Sequence, residues 1–151
     1  MDDAYFMREA IKDAKANDHR FGAIIVKDGT IIAKSGKRPK SDARFHAETQ
    51  AILNAGKNLV GCTLYSTCEP CPMCFYMAWV TEISRLVYGA TISDSIAVGL
   101  PEIKISVKEL NKRGANKMEI EGNFLRDECI NLLKESHKKW FMPFGLFLCI
   151  N

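Results

Sequence analysis

Two cysteines, a histidine and a glutamate stand in this chain at spacings that suit a metal-assisted reaction. The run Ser66-Thr67-Cys68-Glu69-Pro70-Cys71-Pro72-Met73-Cys74 places Cys71 and Cys74 three residues apart, and His46-Ala47-Glu48 lies upstream. On a helix, residues i and i+3 share a face, so both thiolates can reach one metal from a single turn. Pro70 and Pro72 suit the entrance of that helix, where missing amide protons cost little. The amide dipoles at that end also favour thiolate over thiol. With His46 as third ligand, a tetrahedral zinc keeps its fourth position for water, which is the arrangement of a catalytic site. Glu48 can then serve as the acid and base beside the bound water.

His46-x-Glu48 and Pro70-Cys71-x-x-Cys74 together match the H-x-E…P-C-x-x-C pattern of zinc-dependent nucleobase deaminases. The chain resembles the cytidine-deaminase-like superfamily, nearest its guanine, cytosine and tRNA-adenosine deaminase branch. The likeness extends to Phe21-Gly22-Ala23-Ile24-Ile25-Val26-Lys27-Asp28-Gly29, Leu86-Val87-Tyr88-Gly89-Ala90 and Gly122-x-x-x-Arg126-Asp127-Glu128-Cys129, covering most of residues 3–135. It implies a three-layer α/β/α fold around a five-stranded mixed sheet, in which the two zinc-bearing helices lie side by side. It also implies Zn2+ held by His46, Cys71 and Cys74, with Glu48 catalytic and a nucleobase or nucleoside of guanine or cytosine type as substrate. In such enzymes the main-chain amide at Ala47 grips the base and the residue at Phe21 lines the pocket. Two positions depart from the family. Lys37 stands where an asparagine usually contacts base or ribose, and Val80 stands where a tryptophan is common.

The chemistry of such a reaction fits the residues. Replacing an amino group on an aromatic ring by a carbonyl oxygen needs a hydroxide equivalent at neutral pH and ammonia as leaving group. Zinc lowers the pKa of its water to about 7, and a carboxylate that is not a ligand can carry the proton. Two other readings compete. Cys68, Cys71 and Cys74 form C-x-x-C-x-x-C, an iron–sulfur spacing, but a fourth thiolate is needed and Cys62, Cys129 and Cys149 lie in apolar contexts. A structural zinc module binding RNA would need a fourth protein ligand and would give Glu48 no task.

Around these residues, 151 positions suffice for one domain. A 47% hydrophobic and 26% charged composition is that of an ordinary globular protein. The formal charge of +3 permits a nucleic-acid partner without demanding one. The acidic start Met1-Asp2-Asp3 does not read as a secretory leader, and no apolar run is long enough to span a bilayer. A reducing cytoplasm is the expected location, with two of six cysteines on metal and the others unpaired.

Periodicity predicts an amphipathic helix over 3–17, then a hairpin of strands 21–26 and 30–34 about Lys27-Asp28-Gly29. Helix 46–55 ends at Gly56, strand 62–65 leads into helix 71–80, and 85–88 is a further strand. Residues 91–107 read as a short helix followed by a turn at Pro101, 117–121 as a weak strand, and 124–138 as a closing helix. The loop 35–44 is basic: with Lys34 it offers Lys37, Arg38, Lys40 and Arg44, charges that suit a substrate phosphate or an RNA backbone such as tRNA. Residues 1–139 are therefore read as the deaminase domain. The apolar tail 140–151 is expected to pack as a lid or against a second subunit, the resemblance implying a homodimer.

Overall fold

The computed structural model describes residues 2–139, so the tail 140–151 lies outside the described residues. The chain runs α1 (Asp3–Ala16), β1 (Ala23–Lys27), β2 (Thr30–Lys34), α2 (Ala47–Ala55), β3 (Thr63–Cys68), α3 (Pro72–Val80), β4 (Arg85–Ala90), α4 (Ile92–Ala97), α5 (Val107–Arg113), β5 (Glu119–Glu121), α6 (Arg126–Lys139). The strands form one mixed sheet in the order β2-β1-β3-β4-β5. β1 is antiparallel to both β2 and β3, while β3, β4 and β5 are parallel. Helices α1 and α6 pack together on one face, and α2, α3 and α5 on the other. The expected three-layer α/β/α arrangement is therefore present.

Burial explains which runs became strands. β1, β3 and β4 are covered from both sides and read as nearly unbroken buried stretches, whereas the edge strand β2 leaves alternate residues exposed. α1 turns Phe6, Met7, Ala10, Ile11 and Ala14 inward and is capped by Asp2, whose carboxylate accepts from the Ala4 amide at 3.1 Å. Two glycines let the layers approach this closely. A methyl group at Gly22 would strike the Ala10 carbonyl on α1, and one at Gly89 would strike Cys129 on α6. At the end of the sheet away from Cys68, Arg85 donates to Asp3 at 2.8 and 2.9 Å and to Glu121 at 2.5 Å, fastening α1, β4 and β5.

The structure adds one helix that periodicity does not reveal. α5 occupies Val107–Arg113, a stretch to which the sequence pattern assigns no element; Ser106 caps it, accepting from the Glu109 amide at 3.2 Å. The S-x-x-E spacing of Ser106 and Glu109 is a helix-start signal that a seven-residue apolar pattern is too short to support.

α4 is fastened by a capping box between Thr91 and Asp94 and by Arg126 of α6, which donates to Asp94 at 2.6 and 2.9 Å. Arg126 first, then the Thr91 hydrogen bonds, hold the Asp94 carboxyl down to about 2 against the effect of burial. A depressed carboxyl contributes stability that is complete above its ordinary value of 3.8 and drains away as pH falls through about 2. Asp94→Asn should thus unfold at lower urea than the parent near neutral pH, and the gap should close between pH 4 and 2. Urea melts across that range measure it; a gap of constant size would mean that the ion pair is not the cause.

Candidate active site

The site forms where the buried strand β3 ends and two helices begin. Ser66, Thr67 and Cys68 are all buried on the last turn of the pleat, and Glu69-Pro70 then swings the chain into α3. Cys71 is the N-cap of α3 and His46 the N-cap of α2, and neither side chain is spent on capping its own helix. The two instead face each other across the α2–α3 contact. The His46 Nδ1 stands 3.6 Å from Cys71 Sγ and 3.4 Å from Cys74 Sγ.

Among the described residues, His46, Cys71 and Cys74 form a cluster whose ligand atoms all lie within 4.8 Å of one another. Cys68 is not part of it. Two sulfurs and one imidazole nitrogen around a common point are the donor set of a three-ligand zinc site, so these residues fit that metal. The bare site is already disposed to release a proton. The Cys71 thiol is pushed down to about 4, chiefly by the hydrogen bond from Cys74 and also by His46, despite burial. Cys74, which gives that hydrogen bond, is pushed up. A cation held by His46, Cys71 and Cys74 would displace the remaining thiol proton and be met by two thiolates.

Glu48 lies on the first turn of α2, 5% exposed, and is not a member of the ligand cluster. Its Oε1 accepts from Ser66 Oγ at 2.8 Å, and its Oε2 lies 3.5 Å from Cys74 Sγ, turned toward the metal centre. A small cleft opens over this group, lined by Phe21, Ala47, Cys68, Glu69 and Glu102 as well as His46, Glu48 and Cys71. The Ala47 amide belongs to the first turn of α2, where backbone N–H groups have no helical acceptor and are available to a ligand. Phe21 is brought to the rim because Gly22 is paired with Thr67: the Gly22 amide donates to Thr67 Oγ1, and the Thr67 amide donates to the Gly22 carbonyl, each at 3.0 Å. Lys37 is exposed and is not among the residues lining the cleft.

Three further residues, to which the sequence pattern assigns no role at the site, help to shape it. Glu102 is half-buried, and its Oε1 accepts from Ser95 Oγ at 2.7 Å. Burial raises its pKa, and the negative charges of Cys71 and Glu48 add to the effect. Arg38 belongs to the basic loop by sequence, yet it is 5% exposed and donates through Nη2 to the Phe21 carbonyl at 2.8 Å. Glu69 is also buried, and its two oxygens accept from Ile92 N at 3.1 Å and Val107 N at 3.0 Å. One carboxylate thus holds the first residues of α4 and α5 together. The chain between them, which carries Glu102, is pinned at both ends to the residue next to Pro70 and Cys71.

Known proteins resemble this chain in sequence and in fold. Residues 1–90 match the family model described as the cytidine and deoxycytidylate deaminase zinc-binding region. The "Probable cytosine deaminase" of Schizosaccharomyces pombe is 32% identical over 142 residues, 85% of this chain and 88% of that protein. A tRNA-specific adenosine deaminase of Buchnera aphidicola subsp. Schizaphis graminum is 33% identical over 147 residues, 90% of this chain and 94% of that protein. In fold, the chain is similar to a solved structure of guanine deaminase from Nitrosomonas europaea, with a TM-score of 0.73 and 24% identity over 89% of this chain and 82% of that one.

Proposed function

Because this chain belongs to the cytidine and deoxycytidylate deaminase zinc-binding family, we propose that it deaminates a free nucleobase of guanine type, converting guanine and water to xanthine and ammonia. The broader activity follows from the family: the chain is a zinc-dependent hydrolase of carbon–nitrogen bonds in nucleobases or nucleosides. His46, Cys71 and Cys74 are the residues that hold the metal, and zinc, when bound, supplies a water acidified to a pKa of about 7. With the metal in place, Glu48 would take a proton from that water through the oxygen facing the metal centre and pass it to a ring nitrogen; the second proton, from the oxygen newly joined to the ring carbon, would go through the same carboxylate to the departing amine. Phe21 offers an aromatic face to the ring, and the Ala47 amide offers a hydrogen bond to the base.

The observation that carries the choice of base is Glu102. A second carboxylate stands in the same cleft, and with Ser95 donating to its Oε1 at 2.7 Å, its Oε2 can accept a hydrogen bond from the base. Guanine presents a ring N–H beside its leaving amine. Adenine and cytosine present an unprotonated ring nitrogen there, which would face a carboxylate acceptor to acceptor. A tRNA substrate is less well served. Of the basic residues in the segment 34–44, Lys34 is paired with Glu9 at 2.7 Å, Lys40 with Asp18 at 2.9 Å and Arg44 with Asp42 at 2.6 Å, and Arg38 is buried. Lys37 remains exposed. A loop neutralised in this way offers little to a phosphate backbone.

Ammonia release from guanine, cytosine, their nucleosides and an anticodon stem-loop tests the reading. Guanine should be the substrate turned over, and Glu102→Gln should lower its kcat/KM by roughly tenfold or more. Turnover of the stem-loop with none of any free base would reverse the assignment.

A homodimer is supported by the exposed apolar stripe of Met73, Tyr76 and Val80 on α3, with Leu53 on α2. We place the enzyme in the cytoplasm. All five described cysteines are free, and no helix among the described residues is long and apolar enough to cross a membrane.

A further inference from the structure

Ser66 lies on β3 with no solvent exposure, between Ala23 on β1 and Tyr88 on β4. Its hydroxyl oxygen is 2.8 Å from Glu48 Oε1 and 2.7 Å from the Cys68 carbonyl. Both partners are acceptors, and a serine has one proton to give. The buried hydroxyl therefore serves either the carboxylate or the carbonyl at any moment. No solvent can take its place at a residue so completely enclosed.

The two oxygens of Glu48 are thus not equivalent. Oε1 is held by Ser66 from the sheet side, while Oε2 faces Cys74 and the metal centre. We propose that Ser66 is a positioning residue for the deamination, one that fixes the Glu48 carboxylate so that Oε2 alone carries the proton. The assignment rests on the reading of Glu48 as the proton carrier. Without the hydroxyl, Oε1 would be a buried acceptor lacking its donor, and the carboxylate would turn to satisfy both oxygens elsewhere.

Three measurements test this on zinc-loaded protein. Ser66→Ala should retain about one zinc per chain and the parent KM within about twofold, while kcat falls roughly tenfold or more. Ser66→Thr, which keeps the hydroxyl in a residue that strands accept readily, should restore kcat. The assay uses whichever base, nucleoside or stem-loop the parent enzyme deaminates, so a wrong choice of base does not alter what the Ser66 variants report. A crystal structure of Ser66→Ala supplies a readout independent of turnover, and the Glu48 carboxylate should be rotated from its parent position. Parent-level kcat in Ser66→Ala, loss of zinc together with activity, or an unmoved Glu48 would each overturn the proposal.

Discussion

Glu48→Gln should leave the fold and about one zinc per chain in place while turnover drops by roughly 10²–10⁴-fold. Glutamine has nearly the shape of glutamate, and its amide oxygen can still accept from Ser66, so the geometry of the pocket is retained. It cannot take a proton from water at neutral pH and return it to a leaving amine. The loss should fall on kcat, since nothing in the substitution removes the Ala47 amide or the Phe21 ring from the cleft. Activity assays beside metal analysis and thermal melting check the result. A variant that turns over near the parent rate would refute the assignment of Glu48 as proton carrier.

Cys74→Ala should have the other large effect, reducing activity to background. Cys74 is fully buried at the joint of α2 and α3, and its removal leaves one imidazole and one thiolate for the metal. Two ligands do not hold zinc against dilution as three do. A water without zinc loses the acidification that brings its pKa to about 7, and no side chain in the cleft makes up for that loss. The variant should also melt at a lower temperature than the zinc-loaded parent, because ligand binding to the folded state alone stabilises it. Chelation of the parent protein should reproduce both losses, and added zinc should reverse them. Wild-type activity with less than stoichiometric zinc would exclude the metal role.

Much of this site is legible in the sequence because its core is local. Cys71 and Cys74 share one helical turn, and His46 and Glu48 are two residues apart, so their spacing carries the geometry. The hairpin, helices α1, α2, α3 and α6, and strand β4 are equally visible in periodicity and turn chemistry. Strand β3 is longer than its apolar run suggests, reaching Cys68 through the polar Ser66 and Thr67. Those hydroxyls meet Glu48 on α2 and Gly22 just ahead of β1, neither of them near in sequence. Glu102 is hidden for a related reason. It follows Pro101 in a segment without regular structure, and only the folding of that segment over the metal helix brings it to the cleft. Arg38 reads as one more surface charge of its loop, because no local pattern distinguishes a cation that folds under the chain to hold a carbonyl. Position in the sequence reports a residue's neighbours along the chain, and these four act across it.

The carboxylate of Glu69 has a consequence for how such an enzyme can change. By gripping both Ile92 N and Val107 N, it fixes the ends of a segment in which α4 is held by Asp94 and the following insert, 98–106, has no helix or strand. Substitutions within that insert can alter what faces the base while Cys71 and Cys74 stay where the metal requires them. Relatives named for cytosine and for tRNA adenosine keep recognisable likeness to this chain, and a wall segment anchored apart from the reaction centre is one physical route to such divergence. Exchanging this insert alone is accordingly the economical starting point for redirecting the enzyme to another base.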